Sequence, residues 1–158
     1  MGIDLININE ELGAKGVYVL DGYVAAEVLV KLNQEFDEFV LSKQKGARFT
    51  DYSEGVCVRV TANEFDKVKF SATEDFFFSN DLRIISENFL KEEANLNEEI
   101  FIVKDVVGSK HIANDLHYDV TPTLKFFVYL SDTAEENGAF RCVPGSHKRT
   151  EIYRKDKN

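Results

Sequence analysis

Apolar positions along the chain recur with two periods. Ala25, Val28, Leu29, Leu32, Phe36, Phe39 and Val40 fall at i, i+3, i+4 and i+7. That spacing predicts an amphipathic helix over 24–42, with Lys31, Gln34, Glu35 and Glu38 on a solvated opposite face. Leu82, Ile85 and Phe89 form the inward row of a second helix over 80–93, with Ser79 as N-cap and Asp81 in its first turn. Other stretches alternate, the period of strands. Val56, Val58 and Val60 share one face, and over 99–107 Ile100, Ile102 and Val106 oppose Phe101 and Val103. Residues 17–20, between Gly16 and the Asp21-Gly22 turn, read as a short strand. Residues 125–131 and 139–143 read as two strands joined by a polar loop over 132–138 that closes on Asn137-Gly138, and Pro144-Gly145 ends the second strand. Loops are expected over 43–50 and over 108–115, where His111 lies, while 61–71 is mixed and receives no assignment. Phe76-Phe77-Phe78 reads as packing for the following helix, as large aromatics mostly serve, with the wall of a substrate channel as the other reading.

This order, helices first and β structure after, predicts one α+β domain over 1–158. Composition narrows the class further. Apolar residues make up 44% and charged residues 30%, which fits a soluble globular chain with a sizeable core. No apolar run approaches the roughly 20 residues of a membrane span. Met1-Gly2-Ile3-Asp4 carries neither the basic start nor the apolar stretch of a signal peptide. Cys57 and Cys142 are too few for a disulfide framework and read as free thiols of a cytoplasmic protein. The net charge of −9 is spread along the chain, which argues against nucleic acid as a partner. Lys148, Arg149, Arg154, Lys155 and Lys157 read as a solvated basic end. A uniformly acidic surface repels anionic substrates, so such a substrate would need basic residues close to its site.

The candidate chemistry lies in the last third. In extended chain, His117 and Asp119 project to one side and Tyr118 to the other. A neutral imidazole beside a carboxylate is two thirds of the 2-His-1-carboxylate triad that holds non-haem Fe(II). The plain alternative is a surface histidine beside a loop aspartate. A mixed nitrogen and oxygen set with open positions suits iron better than zinc, whose sites often use three tight protein ligands. His147 is the tempting third ligand.

The run H-Y-D, K-F-F-V-Y-L-S-D, E-N-G-A-F and V-P-G-S-H-K, over 114–148, resembles the phytanoyl-CoA dioxygenase family of Fe(II)/2-oxoglutarate oxygenases. The resemblance implies a double-stranded β-helix, the cupin-like jelly roll, with flanking N-terminal helices. It implies His117 and Asp119 as iron ligands, with 2-oxoglutarate and O2 as co-substrates and a small organic molecule as the substrate hydroxylated. It also implies that one face of the strand after H-x-D lines the co-substrate pocket. Tyr129 is expected there as a hydrogen-bonding residue, and Lys125 is the second candidate. Both fit equally a barrel strand with a polar outer face. The Pro-Gly-Ser-His segment is implied to be a turn near the site, with His147 a supporting residue beside the ligands. In the family the second metal histidine and the co-substrate arginine lie on later strands, whereas Asn158 is ten residues past Lys148. The jelly roll is therefore expected to be incomplete, and open sheet edges would make the chain self-associate. The rival reading is a non-catalytic jelly-roll binding module lacking a third ligand, and a further one is a cupin-type hydrolase or isomerase.

Overall fold

Alternation in two of the predicted strands builds the sheet. In the computed structural model, which describes residues 3–42, 47–52, 55–61, 64–91, 99–104, 115–119 and 123–155, three antiparallel strands run in the order β1 (Arg48–Tyr52), β2 (Gly55–Thr61), β3 (Glu99–Lys104). Val58 opposes Ile102 and Val60 opposes Ile100. The first of each pair is fully buried, and Ile100 is buried as well. Phe101 and Val103 emerge on the other face, each about half exposed, as the alternation requires. Val106 lies outside the described residues. The edge strand β1 begins within 43–50, the polar, glycine-containing stretch expected as loop. Its pairing with β2 supplies the order that its composition does not.

Helix α2 (Ala26–Ser42) meets the sheet's inner face near its C-terminal end, through Phe39 and Val40 of the predicted stripe. Phe39, Phe65 and Phe70 meet there with Val58, Val60 and Ile100, and the Phe39 and Phe70 ring centroids lie 4.9 Å apart. A second core forms between α1 (Leu5–Lys15) and α4 (Asn80–Leu90), where Ile8, Leu12, Leu82 and Ile85 are buried together. Ser79 caps α4 as expected, its hydroxyl accepting from the Leu82 amide at 3.4 Å. The helix stops at Leu90, with Lys91 in the left-handed region. Between the two cores lies the short α3 (Ser71–Phe77), which begins where the unassigned stretch 61–71 ends and which the sequence pattern did not predict. Phe78 packs on the sheet core and Phe76 on the helical core, so the aromatic triplet splices the two.

Three expected strands form no ladder among the described residues. Residues 17–20 keep the alternation, with Tyr18 and Leu20 packed on the helical core and Val19 75% exposed. Residues 123–130 alternate throughout, odd positions exposed and even positions half-buried. Leu124 and Phe126 pack on the helical core. Alternation fixes which way side chains point, whereas a ladder also needs a partner at hydrogen-bonding distance. Residues 139–143 approach 125–131 through side chains instead. The Phe140 amide donates to the Tyr129 hydroxyl at 2.7 Å, and the Phe127 and Phe140 rings stack at 5.2 Å. The loop between them tightens into a 3-10 turn, Glu135–Asn137, before Gly138 at φ 97°. After the Pro144-Gly145 turn the chain enters α5 (Ser146–Lys155), over the stretch read from sequence as a solvated basic end.

Glu35 departs from its expected solvated role. Its carboxylate accepts from the amides of Ala72 and Thr73 at 2.8 Å each and from the Thr73 hydroxyl at 2.7 Å. Residue Phe70, at the N-cap position of α3, offers no side-chain acceptor, so α2 caps α3 in trans. Hydrogen bonds to a charged acceptor contribute about 1.5–3 kcal/mol, and an orphaned helix start adds to the loss. Glu35→Ala is therefore expected to destabilise the protein by about 2 kcal/mol in urea melts. Glu38→Ala, which loses only an exposed ion pair with Lys69, should change stability by under about 0.5 kcal/mol.

Candidate metal centre

The anchoring of Leu124 and Phe126 in the helical core turns Lys125 outward. Its ammonium lies 2.5 Å from Asp119 Oδ2. The other carboxylate oxygen, Oδ1, faces His117 Nε2 at 4.0 Å, so the i, i+2 geometry read from the sequence does bring the two side chains together. His117 Nδ1 is 2.8 Å from the Asp115 carbonyl. A carbonyl only accepts, so Nδ1 donates there, and Nε2 is the ring nitrogen left on the side of Asp119. A histidine that donates one ring N–H to a backbone carbonyl and presents the other nitrogen is the usual state of a metal-binding imidazole.

These two donors fit a divalent ion as part of its shell. Neighbouring ligands of an octahedral ion at about 2.1 Å lie about 3 Å apart, so the pair would close by about 1 Å to share one. Among the described residues, no group of three His, Cys, Asp or Glu side chains gathers round a common point. His147 is placed elsewhere. Its ring lies against Gly16, and its buried Nδ1 has no hydrogen-bond partner among the described residues. His111 lies outside the described residues. Tyr129 and Lys125 share the outward face, as expected. Tyr129 accepts the Phe140 amide and Lys125 pairs with Asp119, so each already holds a partner within the chain.

Arg154 is the residue that sequence reasoning missed. From α5 its Nε and Nη2 both donate to the Asp119 carbonyl, at 3.0 and 2.6 Å. Its guanidinium carbon lies 6.0 Å from the Tyr118 ring centroid. The signal was the helical spacing His147, Thr150, Arg154, which puts all three on one face. These three are half-buried while Lys148, Arg149, Glu151, Ile152 and Tyr153 are exposed.

The Lys125 ammonium, hydrogen-bonded to it, holds the Asp119 carboxyl below its ordinary value, against partial burial, with His117 and Arg154 assisting. A carboxyl whose folded value is depressed adds stability above its unfolded value, near pH 4. That stability is lost as the pH falls through the folded value. The side chain is 40% exposed, which limits the contribution to under about 1 kcal/mol. Asp119→Asn should lower the metal-free urea midpoint at about pH 6, and the difference from wild type should shrink steadily as the pH falls below about 4.

No curated protein and no solved structure matches the chain. The sequence profile of the phytanoyl-CoA dioxygenase family matches residues 13–157. That span runs from the last turn of α1 through the His117/Asp119 pair to the end of α5. The chain belongs to the phytanoyl-CoA dioxygenase family.

Proposed function

We propose that the chain forms, on a double-stranded β-helix plan, an Fe(II)/2-oxoglutarate-dependent dioxygenase centre that hydroxylates a small organic substrate. His117 and Asp119 are two of its three iron ligands. The observation that carries this reading is the state of His117, with Nδ1–H committed to the Asp115 carbonyl and Nε2 turned to the Asp119 carboxylate. Family membership supports the same chemistry. With 2-oxoglutarate and O2, bound Fe(II) supplies the oxidising power to insert one oxygen atom into a C–H bond as succinate and CO2 form.

The chain's own residues prepare this centre. Lys125, with Arg154 assisting, holds the Asp119 carboxyl below its ordinary value, which lowers the competition of protons with a bound cation as the pH falls. With a divalent ion held by His117 and Asp119, the Lys125 ammonium that now neutralises the carboxylate would be free to meet the carboxylate of an incoming co-substrate. In a chain of net charge −9, such a local cation offsets the repulsion a dianion meets on approach. Tyr129, with its hydroxyl proton still to donate, lies on the same outward face. Phe127 and Phe140 add an apolar surface there for the substrate. The Lys125–Asp119 ion pair also favours a second reading, a binding module in which lysine replaces the metal permanently.

Fe(II) binding under anaerobic conditions, followed by succinate release with 2-oxoglutarate and O2, separates the two. The wild type should bind one equivalent of Fe(II), and His117→Ala and Asp119→Ala should each lose it. His147→Ala should retain Fe(II), since His147 lies against Gly16. Iron kept by both His117→Ala and Asp119→Ala would sink the oxygenase reading, and iron lost from His147→Ala would put that residue in the ligand set.

A further inference from the structure

The role of α5 is unexplained by the ligand pair alone. Its side chains bury little apolar surface, since Ile152 and Tyr153 are each about 60% exposed. Polar contacts hold it at both ends instead. At its start, the Gly145 amide donates to the Lys15 carbonyl at 2.8 Å, and the His147 ring lies on Gly16. Two turns later, about 10 Å along the axis, Arg154 reaches the Asp119 carbonyl with two donors.

We propose that Arg154 is a positioning residue for the His117/Asp119 pair, acting through the Asp119 carbonyl and the Tyr118 ring. The inference rests on the metal reading of that pair. The planar guanidinium fork uses two donors on one acceptor, which fixes direction as well as distance. Tyr118 points away from the pair by strand alternation, and the same guanidinium lies near its ring. Arg154 therefore grips the back of the H-Y-D segment while Lys125 holds the carboxylate at the front. With the backbone of residues 118 and 119 held, the rotamers of His117 and Asp119 converge from a fixed base. Without the fork, a segment that joins no ladder among the described residues loses two of the hydrogen bonds that hold its direction. Supporting groups around metal ligands typically change affinity by 10–100-fold.

The test uses Mn(II) as the probe, with its affinity read from the electron paramagnetic resonance signal of the free ion. Melting of the metal-free full chain is measured alongside. Arg154→Met keeps the aliphatic stem and removes the fork. It should raise the Mn(II) Kd about tenfold or more, with the melting temperature within a few degrees of wild type. Arg154→Lys, with charge but no fork, should fall between the two. Val58→Ala, in the sheet core and remote from the pair, should lower the melting temperature while leaving Mn(II) affinity within about twofold. Unchanged affinity in Arg154→Met, with Asp119→Ala abolishing binding, would overturn the positioning role and leave the metal reading standing. An equal loss of affinity in Val58→Ala would overturn it too, by showing that affinity merely follows stability. If wild type and Asp119→Ala bind Mn(II) alike, the metal reading itself falls, and the inference falls with it.

Discussion

The burial of Leu124 and Phe126 against Ile8, Leu12, Leu82 and Ile85 sets the phase of everything that follows in the chain. Side chains in extended backbone alternate, so sinking the even positions into the helical core leaves Lys125, Phe127 and Tyr129 outside. A slip of one residue would bury the lysine and expose the two apolar residues. Burying an unpaired ammonium costs several kcal/mol, and losing two large apolar contacts costs about as much again. The register is therefore strongly determined without a hydrogen-bonded ladder. From it follow the reach of Lys125 to Asp119, and of Tyr129 to the Phe140 amide.

Electrostatics at Asp119 work against the sign of the whole chain. Around one carboxylate in a protein of net charge −9 stand Lys125, Arg154 and the His117 ring. Lys125 engages the carboxylate, and Arg154 engages the carbonyl of the same residue. The two cations therefore act on opposite ends of Asp119 and do not compete. Exchange of Lys125 for a divalent ion would leave the Arg154 contact intact. The carboxylate would change partners while its backbone stayed in place.

The sequence showed most clearly what depends on side-chain period alone. The stripes of α2 and α4, the Ser79 cap, the inward Val58, Val60 and Ile100, and the convergence of His117 on Asp119 all follow from spacing within one segment. Whether 125–131 pairs with 139–143 depends on a partner, and there the expected ladder is replaced by one amide-to-hydroxyl bond and a ring stack. Glu35 looked solvated because its partners, Ala72 and Thr73, lie 37 and 38 residues away. Arg154 looked like part of a charged tail because its acceptor is a main-chain carbonyl 35 residues upstream, and a backbone acceptor leaves no mark in residue type. Helix α1 packs Leu5, Ile8 and Leu12 on the helical core, a helical spacing that sequence reasoning passed over, and Asp4 and Gly16 bracket it with the residues that caps require.

That unforeseen helix holds both halves of the candidate centre. Through Ile8 and Leu12 it forms the core that fixes Leu124 and Phe126, and so Lys125. Through Lys15 and Gly16 it receives the start of α5, and so Arg154. Gly16 meets two requirements at once. It ends α1 in the left-handed conformation at φ 78°, its amide donating to the Leu12 carbonyl at 2.8 Å. A Cβ there would clash with the His147 ring at Nδ1, so any side chain at 16 would have to displace that ring from its seat at the start of α5. A rigid helix carries such a shift along its length better than a loop does. The histidine of the Pro-Gly-Ser-His motif thus bears on the centre mechanically: it seats the helix whose far end holds the Asp119 carbonyl.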